Sequence, residues 1–170
     1  MKPDLMSLIP SSVTTHSIFV AGTGVPSAMS VHDATFSNLT ISDTRTAFNF
    51  VGAYSRTSRG PDIRGIRIAN VRVGAREFLK MHHMHSHEAV FGDVVFDGVS
   101  GTVTERSVIR ANRAKPFGKT VFRNVDLPGG FEALNADVRV EGGTWKRIEL
   151  TADEIAQREA DMAAGRNLLF

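Results

Sequence analysis

The feature that most constrains this chain is a short unit that returns along it. At residues 66–73 the unit reads I-R-I-A-N-V-R-V, inside the stretch Ile63 to Glu88. A-T-F-S-N-L-T-I stands upstream at 34–41. V-V-F-D-G-V-S-G (94–101) and T-V-F-R-N-V-D-L (120–127) stand downstream, and a weaker copy, V-R-V-E-G-G-T-W, spans 138–145. Aligned on their turn residue, the copies fall at Asn38, Asn70, Asp97, Asn124 and near Gly142. The first three intervals are 32, 27 and 27 residues (70−38, 97−70, 124−97). A recurrence of roughly 20–50 residues marks a solenoid or an array. Each copy alternates apolar and polar residues with a period of two and is rich in Val, Ile, Phe and Thr, as a strand is. No copy places its apolar residues at helical spacing.

Such units bury their apolar side only by stacking, with parallel neighbours about 4.8 Å apart. Equivalent residues then pile into ladders. Phe36, Ile68, Phe96 and Phe122 form one expected inward stack, and Leu39, Val71, Val99 and Val125 a second. Asn38, Asn70 and Asn124 form an amide ladder at a turn, with Asp97 as the remaining rung. Asn suits that place because it tolerates left-handed backbone angles. On these residues the chain resembles the single-stranded right-handed parallel β-helix of the pectin-lyase-like superfamily, over about Val31 to Ile148. The expected fold is therefore all-β: a right-handed parallel β-helix of about five or six coils with a short C-terminal α-helix. The strict hexapeptide period of left-handed β-helices is absent.

The chain reads as one domain. Residues 1–30 form an N-terminal lead and first coil, 31–150 the repeated coils, and 151–170 a helix and tail. The segment Gly52 to Pro61 is loop-like, carries Arg56 and Arg59, and makes the first coil the longest. Thr151-Ala-Asp-Glu154 is a capping box, and Gly165 is the expected C′ residue of the helix that follows. Ile155, Met162 and Ala163 give that helix a thin apolar face. The terminal Leu168-Leu169-Phe170 suits either covering the last coil or docking on another subunit.

Composition narrows the function classes. A formal net charge of +2 implies neither a nucleic-acid nor a membrane partner. The absence of cysteine removes thiol and disulfide chemistry. The first residues lack a continuous apolar segment of signal-peptide type, which points to a cytoplasmic chain as encoded. Gly22-Thr-Gly24 is a lone glycine turn without a following helix, so no nucleotide cofactor is indicated, and no cofactor of another kind is expected.

Two groups of residues could carry chemistry. Four of the six histidines lie between His82 and His87. If Leu79 and Met81 point inward, Lys80 and His82 point outward from the same strand. Histidines beside a carboxylate can act as acid and base or hold zinc. The metal candidates are His85, His87 and Glu88, without any H-E-x-x-H signature. The plain alternative is a polar corner where surface histidines gather. The second group is an outward row made by stacking: Asn49, Lys80 with His82, and Arg110 with Asn112. A basic, amide-rich face suits an acidic sugar chain. Cations neutralise a uronate carboxylate, and a basic side chain can then take the adjacent proton. Here too the plain alternative is a solvated outer face.

The candidate ligand-binding residues are thus Asn49, Lys80, His82, His83, His85, Arg110 and Asn112. Lys80, His82 and Arg110 are the catalytic candidates of a lyase-like or hydrolase-like activity. If the histidines meet the ligand charged, binding strengthens as pH falls through about 6.5. The N-T-D, D-D and G-H-G segments of polygalacturonases and the R-x-P-x-x-R of pectate lyases are absent, so no family catalytic residue carries over. The expectation is a carbohydrate-associated β-helix that binds or processes an acidic polysaccharide along an exposed sheet face. The competing reading is a structural or assembly protein, such as a phage tail component or an oligomeric scaffold, working as a homo-oligomer.

Overall fold

The computed structural model of the chain describes residues 18–21 as backbone, and residues 30–51, 61–83 and 89–164. Among the described residues ten strands precede one helix. They are β1 (Ile18–Ala21), β2 (Ser30–His32), β3 (Thr35–Val51), β4 (Asp62–His82), β5 (Val90–Val103), β6 (Ser107–Arg110), β7 (Phe117–Asp126), β8 (Gly130–Leu134), β9 (Ala136–Gly143) and β10 (Lys146–Arg147), followed by α1 (Ala152–Ala163). Every pairing between these strands is parallel. The chain is a β-solenoid.

Three ladders build its sides. The first runs through Phe36, Ile68, Phe96, Phe122 and Val140. The second runs through Phe50, Met81, Ile109 and Ala133, with β1 before it and β10 after it. The third runs through Val31, Ile63 and Phe91, and beyond Phe91 lie Phe117 and its partner Ala136. Together they make a solenoid of about three turns. The expected five or six coils correspond to the rungs of the two longer ladders.

The inward stacks stand where the repeat places them. Ile68, Phe96 and Phe122 are fully buried, while Phe36 is half-buried at the first rung. Phe96 and Phe122 lie nearly parallel with centroids 5.3 Å apart. Phe48 and Phe78 meet Phe96 edge-on at 5.4 and 5.2 Å. Burying each such ring contributes about 1.5–3 kcal/mol relative to exposure. Trp145 closes the aromatic core, edge-on to Phe122 at 4.7 Å and to Phe78 at 5.2 Å. Its buried Nε1 has no hydrogen-bond partner among the described residues, and the rings of Phe78, Phe122 and Phe131 pack around the indole.

The turn ladder differs from the expectation at one rung. Asn70 stands opposite Gly98, not Asp97, because Ala69 pairs with Asp97 and Val71 with Val99. Asn38, Asn70, Gly98, Asn124 and Gly142 all have φ between 51° and 76°. The rung is set by the left-handed corner, which Gly occupies without strain. Asn70 donates its side-chain amide to Asn38 across 3.3 Å. Asp97 instead faces out, 2.8 Å from Arg67 and 3.7 Å from Arg123. A second left-handed corner joins Asp33, Gly65 and Asp93, with φ of 56°, 66° and 52°.

The capping box of α1 forms. The Thr151 hydroxyl accepts from the Glu154 N–H at 3.3 Å, and the Glu154 carboxylate accepts from the Thr151 N–H at 2.9 Å. These bonds hold the exposed Glu154 carboxyl below its usual value. Met162 is buried, Ile155 half-buried and Ala163 exposed. Gly165 and Leu168 to Phe170 lie outside the described residues, as do Arg56 and Arg59. Among the described residues no helix is long and apolar enough to cross a membrane.

Phe96→Ala should cost about 3–5 kcal/mol in denaturant unfolding, because the ring is enclosed from four sides. Gly98→Val should also destabilise, since a β-branched residue cannot take a left-handed corner, whereas Gly98→Asn should fold as the parent does. A Phe96→Ala variant as stable as the parent would contradict the register.

Candidate functional site

The ladders decide which polar residues become neighbours. Asn49 stands beside Lys80, Lys80 beside Val108, and Val108 beside Glu132. In the next row outward of the core, Val51, His82, Arg110 and Leu134 are consecutive. Leu79 and Met81 point inward and are fully buried. Lys80, His82 and Arg110 therefore share the opposite side, as the alternation of β4 requires.

That side is recessed rather than an open face. A cavity of about 510 Å³ is lined by Arg45, Glu77, Lys80, His82, Thr104, Glu105, Arg106, Val108, Arg110, Glu132 and Arg158. His82 and Arg110 are buried, and Lys80 is half-buried. The polar detour after β5 forms one wall, through Thr104, Glu105 and Arg106. The helix α1 contributes another through Arg158.

Glu132 is the electrostatic centre. Its side chain is 1% exposed, and isolated burial of a carboxylate is costly. Arg110 donates to it through Nε at 2.6 Å and also through Nη2. Arg158 approaches at 3.4 Å and Arg106 at 3.7 Å. Three guanidiniums thus converge on one carboxylate. Glu77 is likewise buried, 3.3 Å from Lys80 Nζ, and accepts from the Thr46 hydroxyl at 3.4 Å. Glu105 is held by Arg76 at the rim. The lining carries five permanent cations (Arg45, Lys80, Arg106, Arg110, Arg158) against three carboxylates (Glu77, Glu105, Glu132), an excess of two. Such a recess attracts anions.

His82 sits in this positive field, 4% exposed. Burial, and after it the charges of Lys80 and Arg110, lower its pKa to about 4. A hydrogen bond to the His83 backbone opposes the shift by favouring the protonated ring. Nε2 is buried without any hydrogen-bond partner among the described residues. The expectation of a charged histidine near pH 6.5 is thereby corrected: this ring is neutral throughout the physiological range.

The other expected residues are placed differently. His83 turns into the core, its ring 4.6 Å from that of Phe117. Its Nε2 lies 2.9 Å from the Ala89 carbonyl, and its Nδ1 accepts from the Asn112 N–H at 3.0 Å. Asn112 shapes a turn, its side-chain oxygen accepting from the Ala114 N–H at 2.9 Å. Asn49 neighbours Lys80 but does not line the cavity, and its buried side-chain oxygen has no partner. His85, His87 and Glu88 lie outside the described residues. Among the described residues no group of three His, Cys, Asp or Glu could hold a metal ion.

Sequence reasoning missed Arg45, Glu77, Glu132 and Arg158. Glu132 left a signal: an acid within the apolar run Phe131-Glu-Ala-Leu134. Arg158 left none, because the seat of a helix against a solenoid is not encoded in the repeat. No protein-family model matches the chain, and neither the curated proteins nor the solved structures contain a match to it.

The lowered pKa of His82 has a consequence for stability. Below 6.5 the unfolded chain binds a proton at this ring that the folded chain refuses until about 4. Stability therefore falls with pH across that window, by roughly 3 kcal/mol in all, and levels off below it. Unfolding free energies of the parent and of His82→Gln should diverge by that amount in total as pH falls across the window, with the variant's profile the flatter. Parallel pH profiles would show that His82 titrates normally.

Proposed function

We propose that this protein is a carbohydrate-associated member of the pectin-lyase-like β-helices that binds an acidic saccharide in the recess around Lys80, His82 and Arg110. The observation that carries the reading is the excess of two cations in a cavity whose carboxylates are already paired. Arg45 has no ion-pair partner among the described residues, and Arg106 is only 3.7 Å-close to a carboxylate shared by two other arginines. Both remain available to a uronate carboxylate, to which guanidinium offers a planar pair of donors. A saccharide chain can leave the recess along the polar strip Ser42, Thr44, Gly74 and Thr102, which shares Arg45 and Thr104 with it.

The assembly reading rests on a different observation. Among the described residues β9 pairs on one side only, with β7, and Val140 at the end of the inward ladder is 42% exposed. A further strand stacked there would bury it.

Calorimetric titration with oligogalacturonate separates the two readings. Saturable binding by a monomer should weaken with added salt. Arg45→Ala with Arg106→Ala should weaken it about tenfold or more without lowering stability, since both side chains are exposed. No binding, together with a stable oligomer in light scattering, would favour the scaffold and contradict the saccharide reading.

A further inference from the structure

We infer that the strip floored by Gly74 is a second saccharide subsite, so that the protein takes an extended chain of sugar acids rather than a single unit. This rests on the acidic-saccharide reading and deepens it. Gly74 lies inside β4, where glycine weakens a strand and adds no packing. The fold does not ask for it. Its φ is outside the left-handed region, and a Cβ placed there would meet nothing nearer than the Ser42 Cα at 3.8 Å. Gly101 shows the contrast: its φ is 139°, and a Cβ there would collide with the Val73 carbonyl. Val73 is buried, so a side chain at position 74 would point outward, between Ser42 and Thr102. What glycine secures at this place is a clear floor on the outer face, as strands have where a ligand comes close to the backbone.

The strip continues in both directions from that floor. Towards the recess it runs past Arg45 and Thr104, which line both. Away from the recess, Ser42, Gly74 and Thr102 also border a groove that holds Thr40, Arg72 and Ser100. Register makes Thr40, Arg72 and Ser100 one rung, and Ser42, Gly74 and Thr102 another. Hydroxyls therefore flank the bare backbone on both sides, and they can donate to and accept from the hydroxyls of a sugar. Of the cations, Arg76 is held by Glu105, whereas the exposed Arg45 and Arg72 have no ion-pair partner among the described residues. Asp43 is the only carboxylate among the described residues that line the strip. A chain with a carboxylate on each unit can give one to the recess and another to Arg72. Between them it crosses a floor with no side chain in its way. Linking the two contacts makes the second intramolecular, so affinity rises with chain length. A single sugar acid reaches only one of them.

The test uses the full chain and two probes, trigalacturonate and hexagalacturonate, titrated by calorimetry. The parent should bind the longer probe about tenfold or more tighter, beyond the statistical gain from overlapping binding frames. Gly74→Phe, whose ring would lie across the strip, should bring the longer probe down to the affinity of the shorter and leave the shorter unchanged. Its unfolding midpoint in urea should match or exceed the parent's, because the position has room and strands favour the residue. Arg72→Ala should lose part of the length gain and part of the salt dependence of the longer probe, and it carries the test alone if the Phe variant does not fold. Equal affinity of the parent for both probes overturns the inference and leaves the acidic-saccharide reading standing. A length gain that survives both variants unchanged also overturns it. So does a Gly74→Ala variant less stable than the parent, since the fold would then require the glycine. If neither probe binds the parent, the saccharide reading fails and the inference falls with it.

Discussion

The parallel backbone ladders fix which residues are neighbours, because side chains alternate with a period of two and a slip of one residue would turn every inward group outward. Phe96 is stacked between Ile68 and Phe122 by this register alone, since no local contact would bring together residues so far apart in the chain. The same register sets Lys80 beside Val108 and His82 beside Arg110. Core and recess are two faces of one arrangement. The left-handed corners hold it in phase: Asn38, Asn70, Gly98, Asn124 and Gly142 turn the chain at the same height in successive rungs.

The recess is held in balance by opposing costs. Burying Glu132 removes a carboxylate from water, and Arg110 offsets that loss only through close, directed hydrogen bonds. Arg158 and Arg106 add charge beyond what one carboxylate needs. Burial first, and then the charges of Lys80 and Arg110, disfavour a proton on His82, so the ring stays neutral beside them. The helix takes part in this balance because Arg158, its contribution to the wall, reaches the same Glu132. A helix that ends the stack thus also completes the site.

The fold was legible because a solenoid writes its geometry into a repeat. The two inward stacks and the capping box could be read residue by residue. The rung at Gly98 was misread as Asp97 because Asp and Asn look alike as turn formers, while the position selects for a left-handed φ that glycine meets most freely. The row of Lys80, His82 and Arg110 was legible from strand alternation. Its recession into a cavity was not, since that depends on coil lengths and on where Thr104 to Arg106 and α1 come to rest. His83, adjacent to His82, faces the core beside Phe117 because alternation sends neighbours to opposite sides. A cluster that looks uniform in sequence is divided by the strand that carries it.

The most direct measurement is the nitrogen-15 spectrum of the His82 imidazole in the intact chain, followed through its titration and assigned by comparison with His82→Gln. The expected result is a neutral ring with no imidazolium until the pH approaches about 4. An imidazolium already formed near the ordinary value of 6.5 would contradict the buried histidine that strand register sets beside Lys80 and Arg110.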